Sequence, residues 1–76
     1  SDEYNLKNDQ KAMYYLSLSA DQNCPEAQFL IGSIYYKGST NYPLDINKSI
    51  YYFKLAANQN YHLALNQLGH ILIVQK

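Results

Sequence analysis

The sequence predicts an all-α repeat protein of about four antiparallel helices, and two observations support this. Shifting the chain against itself by 37 residues (48 − 11) aligns residues 11–39 with 48–76 without a gap. Ten of these 29 positions are identical, and apolar side chains recur at helical spacing within the matching segments. The identical pairs include Tyr14/Tyr51, Leu18/Leu55, Asn23/Asn60, Ala27/Ala64 and Gly32/Gly69.

The first predicted helix runs from about Asn8 to Ala20, because the 37-residue shift aligns it with the segment from Asp45 to Asn58. Residues 1–7 precede it as an N-terminal arm. The first helix and its turn, residues 8–24, therefore form half of a two-helix unit.

The second predicted helix spans Pro25–Lys37. Pro25 suits the first turn, where its missing N–H costs nothing, and Gly38 stands where a helix end favours positive φ. One face of this helix is apolar, with Ala27, Ile31, Ile34 and Tyr35. Residues 39–44 contain Ser, Thr, Asn and Pro, and this composition predicts a loop.

The third predicted helix runs from Asp45 to Asn58, with Asp45 as N-cap and a tight turn at residues 58–60. Its apolar face carries Ile46, Ile50, Phe53 and Ala57. By the repeat register, a fourth helix spans Tyr61 to Val74. The chain thus reads as a half unit (8–24), a full unit (25–60) and a half unit (61–76). Because each end carries only one helix of a two-helix unit, we expect further repeats or other chains to pack against both ends.

Composition excludes several classes of function. The 76 residues include six acidic and six basic side chains, and all the bases are lysine, so the chain lacks the basic excess that binds a phosphate backbone. Its 47% hydrophobic content is too high for a disordered chain. The longest apolar run, residues 71–74, is too short to span a membrane. The single Cys24 cannot form an internal disulfide, which favours a reducing compartment such as the cytoplasm.

Two segments resemble the Sel1-like repeat, a relative of the tetratricopeptide repeat. Residues 27–38, AQFLIGSIYYKG, are similar to the family's A-x-x-x-L-G-x-x-Y-x-x-G, and residues 45–60 are similar to its second-helix pattern D-x-x-K-A-x-x-[WY]-[YF]-x-x-A-A-x-Q-[GN]. The resemblance covers nearly the whole chain from Asn8 onward. It implies a right-handed α/α solenoid that serves as an adaptor for protein complexes. Leu72 and Gln75 depart from the family's tyrosine and glycine.

Two surfaces are candidates for binding a partner. Tyr14 and Leu18 on the first helix, and Tyr51 and Leu55 on the third, form stripes of residues four apart, where the family pattern has charged or variable residues. They are either tolerated on the surface or buried under residues 4–7, or else they form an exposed patch that docks a partner or a second copy.

The second candidate surface is the inner curve that the solenoid resemblance implies. The outer residues of the second and fourth helices line it: Phe29, Ser33, Tyr36, Asn66, His70 and Ile73. Such concave faces bind peptides in repeat proteins. The alternative is that Phe29 and Tyr36 pack on the preceding helix.

The sequence offers no support for catalysis, a cofactor or a metal site. His62 and His70 have no third ligand beside them, and Cys24 has no histidine at fixed spacing. The small residues Ala27, Gly32, Ala64 and Gly69 are interpreted as packing at helix crossings.

The predicted function is a non-catalytic scaffold that binds a protein or peptide, and neither nucleic acid nor membrane. One alternative is a homo-oligomer formed by exchange of terminal helices. Another is a hydrolase of the kind ascribed to cysteine-rich relatives, which is disfavoured because their paired cysteines are missing.

Overall fold

Four helices in sequence order make up the fold: α1 (Asp2–Asp21), α2 (Pro25–Lys37), α3 (Ile46–Ala57) and α4 (His62–Val74). They are seen in a computed structural model that describes the backbone of residues 2–74 and the side chains from Gln10 to Val74. No strand occurs within this range. The all-α prediction is confirmed, and the predicted bounds of α2 are matched at both ends. The departure from the family pattern at Gln75 lies outside the described residues.

Helix α1 begins earlier than its sequence register suggests. It starts at Asp2, so residues 2–7 continue the helix and do not form a separate arm. No glycine or proline interrupts this segment. The side chains of residues 4–7, which were expected to cover the tyrosine and leucine stripes, lie outside the described part of the chain.

The turns after α1 and α3 are copies of one another. Asn23 and Asn60 both adopt positive φ, 70° and 61°. In the first turn Asn23 N–H donates to the carbonyl of Ala20, and Cys24 N–H donates to that of Ser19. Residues 56–61 repeat both bonds. These are the paired hydrogen bonds of a Schellman motif, with asparagine in the left-handed position that glycine usually occupies.

A cap at the end of α2 and another at the start of α3 define the two ends of the loop between these helices. Gly38 has φ 79° and donates its N–H to the carbonyl of Ile34. A Cβ on Gly38 would lie 2.7 Å from the backbone nitrogen of Leu44, so the close approach of the loop also requires glycine. The Asp45 carboxylate accepts from the N–H of Lys48 at 3.1 Å, which confirms the predicted N-cap.

Two small hydrophobic clusters hold the helices together. Cluster 1 lies mainly between α1 and α2, and cluster 2 between α2, α3 and α4. The buried members of cluster 1 are Met13, Ala20, Ala27 and Ile31. Those of cluster 2 are Phe53, Ala56, Ala64 and Ile71. The principal packed pairs are α1 with α2, α2 with α3, and α3 with α4, so each helix packs chiefly on its neighbours along the chain.

The two repeat glycines have different surroundings. A Cβ on Gly32 would lie 2.7 Å from Cδ1 of Phe53, so glycine is needed where α3 crosses α2. A Cβ on Gly69 would have no described atom within 4 Å. The prediction that Gly69 lies at a helix crossing is therefore wrong within the described chain, because no described helix covers that side of α4.

Candidate protein-binding surfaces

The tyrosine and leucine stripes on α1 and α3 lie on the surface. Tyr14 and Tyr51 are 60% and 59% exposed, Leu18 is exposed, and Leu55 is half-buried. We call these four residues the outer stripe. Near-equal exposure of the two tyrosines shows that the helical repeat places them in equivalent positions.

Each exposed tyrosine packs edge-on against its neighbour in the sequence. The ring centroids of Tyr14 and Tyr15 are 5.2 Å apart at an interplanar angle of 74°. Those of Tyr51 and Tyr52 are 5.1 Å apart at 86°. Edge-to-face contact is a favourable geometry for aromatic rings, so it restricts the orientation of the exposed ring in both copies.

Tyr52 is itself anchored in the fold. Its ring stacks on that of Tyr35, with centroids 6.5 Å apart and an interplanar angle of 12°, and Lys48 Nζ lies 4.8 Å from the Tyr35 centroid. Burial raises the pKa of Tyr52 above its ordinary value of 10.0. The neighbouring acidic groups of Tyr35, Tyr51 and Asp21 raise the pKa further, and Lys48 lowers it.

A lysine lies three residues before each outer-stripe tyrosine. Lys11 precedes Tyr14 and Lys48 precedes Tyr51, and both lysines are exposed. Residues three apart on a helix are neighbours on its surface. The K-x-x-Y-x-x-x-L pattern is therefore repeated on the surface, although the Lys48 ammonium lies over the Tyr35 ring.

The predicted inner surface is only partly available. Phe29 packs in cluster 2, with its ring 5.5 Å from those of Phe53 and Tyr61, and Tyr36 lies 6.4 Å from Phe53. Both side chains are half-buried and contact Phe53 on α3, the helix that follows, and Phe29 also contacts Tyr61. The prediction of an open aromatic face is therefore wrong for these two residues, and the contacts lie with the following helix, whereas the alternative named the preceding one.

The remaining inner-surface residues show no shared site. The Ser33 hydroxyl donates to the Phe29 carbonyl at 3.0 Å within its own helix. On α4, Asn66 and His70 are exposed and Ile73 is 76% exposed. They correspond by the 37-residue shift to Phe29, Ser33 and Tyr36 of α2.

A polar network that the sequence did not indicate joins the two repeated turns. The Gln28 side chain is buried, and its Nε2 donates to the Ala20 carbonyl and to Asn23 Oδ1, each at 3.3 Å. Its Oε1 accepts from Gln59 Nε2 at 3.1 Å. The sequence did contain one signal for this network, because Gln28 is a polar residue on an otherwise apolar face of α2. A buried amide needs hydrogen-bond partners.

One pocket could hold a small ligand. A shallow pocket of about 190 Å³ opens between α1 and the end of α2, lined by Ala12, Ile34, Lys37, Gly38, Ser39 and Tyr42. No group of three or more possible metal ligands occurs among the described residues. None of the described helices is both long and apolar enough to cross a membrane.

Paired helices joined by repeated turns, packed on their neighbours and carrying exposed aromatic residues, define a helical-repeat protein of the interaction-module type. A scan against protein families matches the Sel1 repeat at residues 6–24 and 25–61. The chain belongs to the Sel1 repeat family, and its fold is an all-α solenoid. Members of this family generally mediate protein–protein interactions and are typically non-catalytic. Searches of curated proteins and of solved structures returned no significant match.

Proposed function

We propose that the chain is a non-catalytic scaffold that binds a protein partner through the outer stripe. One observation carries the proposal: the same exposed tyrosine, with the same edge-on neighbour, occurs in both repeats at Tyr14 and Tyr51. Tyrosine is among the residues that contribute most to binding energy at protein interfaces, so two equivalent exposed tyrosines support an interaction surface.

The mechanism is presentation of ordered aromatic side chains on a rigid framework. Binding costs about 0.5–1.5 kcal/mol for each flexible side chain that becomes immobilised. The neighbouring rings of Tyr15 and Tyr52 already restrict Tyr14 and Tyr51. Less conformational entropy is therefore lost when a partner docks.

The charges beside the stripe define the chemistry of the partner. Lys11 is exposed three residues before Tyr14, and Lys54 is exposed three residues after Tyr51, whereas the Lys48 ammonium lies over the Tyr35 ring. Cationic side chains around an apolar patch complement a partner that carries acidic residues at its edge. The expected ligand is an acidic segment with spaced apolar side chains.

The test is selection of displayed peptides on the immobilised 76-residue chain, followed by affinity measurement on synthetic peptides. We expect enriched sequences to combine acidic and apolar residues. They should bind the wild type at least tenfold more tightly than a Tyr14→Ser/Tyr51→Ser variant, with affinity falling as salt rises. The control is Asn66→Ser, an exposed substitution on α4 away from the stripe. Peptides that bind both chains equally would refute the proposal.

A further inference from the structure

The pocket between α1 and the end of α2 has walls that the fold holds in place. Gly38 N–H donates to the Ile34 carbonyl at 2.8 Å and so closes α2. Ser39 N–H donates to the Tyr42 carbonyl at 2.8 Å, and Tyr42 N–H donates to the Ser39 hydroxyl at 3.2 Å. The Tyr42 ring packs edge-on against Tyr35, with centroids 6.1 Å apart. The pocket is therefore formed before a ligand binds, which lowers the entropy cost of binding.

The inside of the pocket is apolar and continues a hydrophobic cluster. Ile34 and Tyr42 are half-buried and pack against cluster 1. Ala12 contributes a methyl group from α1, on the other side of the pocket. An apolar group that enters the pocket would extend cluster 1 and would lose its own contact with water. The lining therefore favours an aliphatic or aromatic group.

Two polar side chains line the pocket, one in the last turn of α2 and one just after it. Lys37 is exposed, and no carboxylate of the described side chains lines the pocket with it. The Ser39 hydroxyl accepts from Tyr42 N–H and can also donate its own proton. The carboxyl end of a helix carries partial negative charge, so an anion is favoured here only beside Lys37. A ligand with a carboxylate next to an apolar group matches both features of the lining.

The size of the pocket indicates a single side chain. Its volume is about 190 Å³, and a cavity of about 150 Å³ is large enough to hold a benzene ring. Pockets for drug-sized molecules are larger, about 300–1,000 Å³, and enclose most of the ligand. A group that belongs to a longer chain gains most from such a shallow pocket, because the other contacts of that chain raise its effective concentration.

We propose that this pocket binds one leucine-sized side chain of a protein partner, next to an acidic residue whose carboxylate pairs with Lys37. The inference rests on the proposed function, because the ligand is again a protein segment that combines acidic and apolar residues. It adds a second contact site, since the pocket lining shares no residue with the outer stripe.

The test is an NMR titration of the 76-residue chain with short peptides that are too small to span several sites. The probe is acetyl-Asp-Leu-Asp-amide. One control peptide, acetyl-Asp-Ala-Asp-amide, lacks the apolar anchor, and the other, acetyl-Asn-Leu-Asn-amide, lacks the charge. We expect the probe at millimolar concentration to shift the amide signals of Lys37, Ser39 and Tyr42. Both control peptides should bind at least fivefold more weakly at low salt.

Two variants test the residues of the pocket. Ala12→Leu fills the pocket from α1 and should abolish probe binding. Lys37→Met keeps the aliphatic chain but removes the charge, so it should bind the acidic and the neutral leucine peptides equally. The matched controls are Gln10→Leu, at another exposed position of α1, and Lys54→Met, at the basic residue in the last turn of α3. Both controls should bind the probe as the wild type does, and circular dichroism should show wild-type helix content in all four variants.

The outer-stripe variant separates the two proposals. Tyr14→Ser/Tyr51→Ser should bind the short probe as the wild type does, although it loses the longer peptides selected on the immobilised chain. Failure of the probe to bind, with stripe-dependent binding of the longer peptides retained, would refute the pocket inference alone. Probe binding at the pocket without any stripe-dependent peptide would refute the outer-stripe proposal alone.

Three further results would each overturn the pocket inference. They are amide shifts confined to other parts of the chain, equal binding of the leucine and alanine peptides, and unchanged probe binding by Ala12→Leu. Tighter binding of free 4-methylpentanoate than of the probe would also overturn it, because the pocket would then be a site for small carboxylates. The comparison of peptides on the wild-type chain needs no variant to fold.

Discussion

Gln59 donates a hydrogen bond from Nε2 to Oε1 of Gln28 at 3.1 Å, across 31 residues of sequence. Because the Gln28 amide nitrogen also donates to the Ala20 carbonyl and to Asn23 Oδ1, one buried side chain connects the turn after α1 with the turn after α3. Successive repeats are therefore joined by directional bonds as well as by apolar packing.

We predict that Gln28→Ala destabilises the fold more than Gln59→Ala. The first change removes three hydrogen bonds and leaves a cavity, and should cost about 2–4 kcal/mol of unfolding free energy. The second leaves a partly solvated acceptor and should cost about 1 kcal/mol. Urea denaturation of both single variants and the double variant measures the coupling. Strictly additive effects would contradict a direct bond between the side chains.

Gly32→Ala and Gly69→Ala form a matched pair with opposite expected effects. At Gly32 the new methyl would lie 2.7 Å from the buried Phe53 ring, and such overpacking costs about 1–3 kcal/mol. At Gly69 the methyl meets no described atom, and alanine gains about 0.5–1 kcal/mol over glycine within a helix. Thermal melts should show a lower Tm for the first variant and a higher Tm for the second. Equal shifts would contradict the difference in surroundings between the two glycines.

The asparagines in the two turns should not be replaceable by a β-branched residue. Asn60 has φ 61°, and the left-handed conformation is costly for residues other than glycine, asparagine and aspartate. We expect Asn60→Val to lower the unfolding free energy by about 1–2 kcal/mol and Asn60→Gly to leave it nearly unchanged. Asn23→Val should lower it at least as much, and Asn23→Gly should also lower it, because Asn23 Oδ1 accepts a hydrogen bond from Gln28 Nε2. A valine variant as stable as wild type at both turns would count against the shared motif.

Alkaline pH should weaken the fold through Tyr52. Its pKa is raised in the folded state, chiefly by burial, so the unfolded chain loses the phenol proton first. The stabilisation is complete below the unfolded pKa of about 10 and is lost as pH rises through the folded pKa. Urea midpoints between pH 8 and 11 should fall more steeply above pH 10 for wild type than for Tyr52→Phe. Identical slopes would show that another group governs the alkaline loss.

Local signals in the sequence predicted much of the fold. Pro25 and Gly38 mark the ends of α2, and Asp45 caps α3, because each acts on the backbone beside it. The start of α1 was missed because the 37-residue shift places residues 2–7 opposite residues 39–44, which form the loop before α3. The only sign of a helix at residues 2–7 is that glycine and proline are missing from the segment, and this is a weaker signal than a capping residue.

The candidate surfaces were harder to predict because they depend on which helix covers which face. Tyr14 and Tyr51 are exposed, as the helical spacing and the family pattern together suggested, although burial under residues 4–7 was an open alternative. Phe29 and Tyr36 were predicted on an open face, but their rings contact Phe53 on α3. The spacing of residues along α2 does not predict which neighbouring helix a long side chain contacts. Gly69 is the sequence counterpart of Gly32, but its surroundings differ. Helix α3 crosses α2 at Gly32, whereas no described helix crosses α4 at Gly69.

The packing of each helix chiefly on its sequence neighbours also shapes how the chain folds. Contacts between adjacent helices close only short loops, so little chain entropy is lost before they form, and such topologies fold quickly. The α2–α3 hairpin, which has the most extensive contact and the buried Phe53, is the natural nucleus. We expect α1 and α4 to pack on this hairpin later and to unfold first. Amide hydrogen exchange should therefore be slowest at the centre of the chain and fastest towards its two ends.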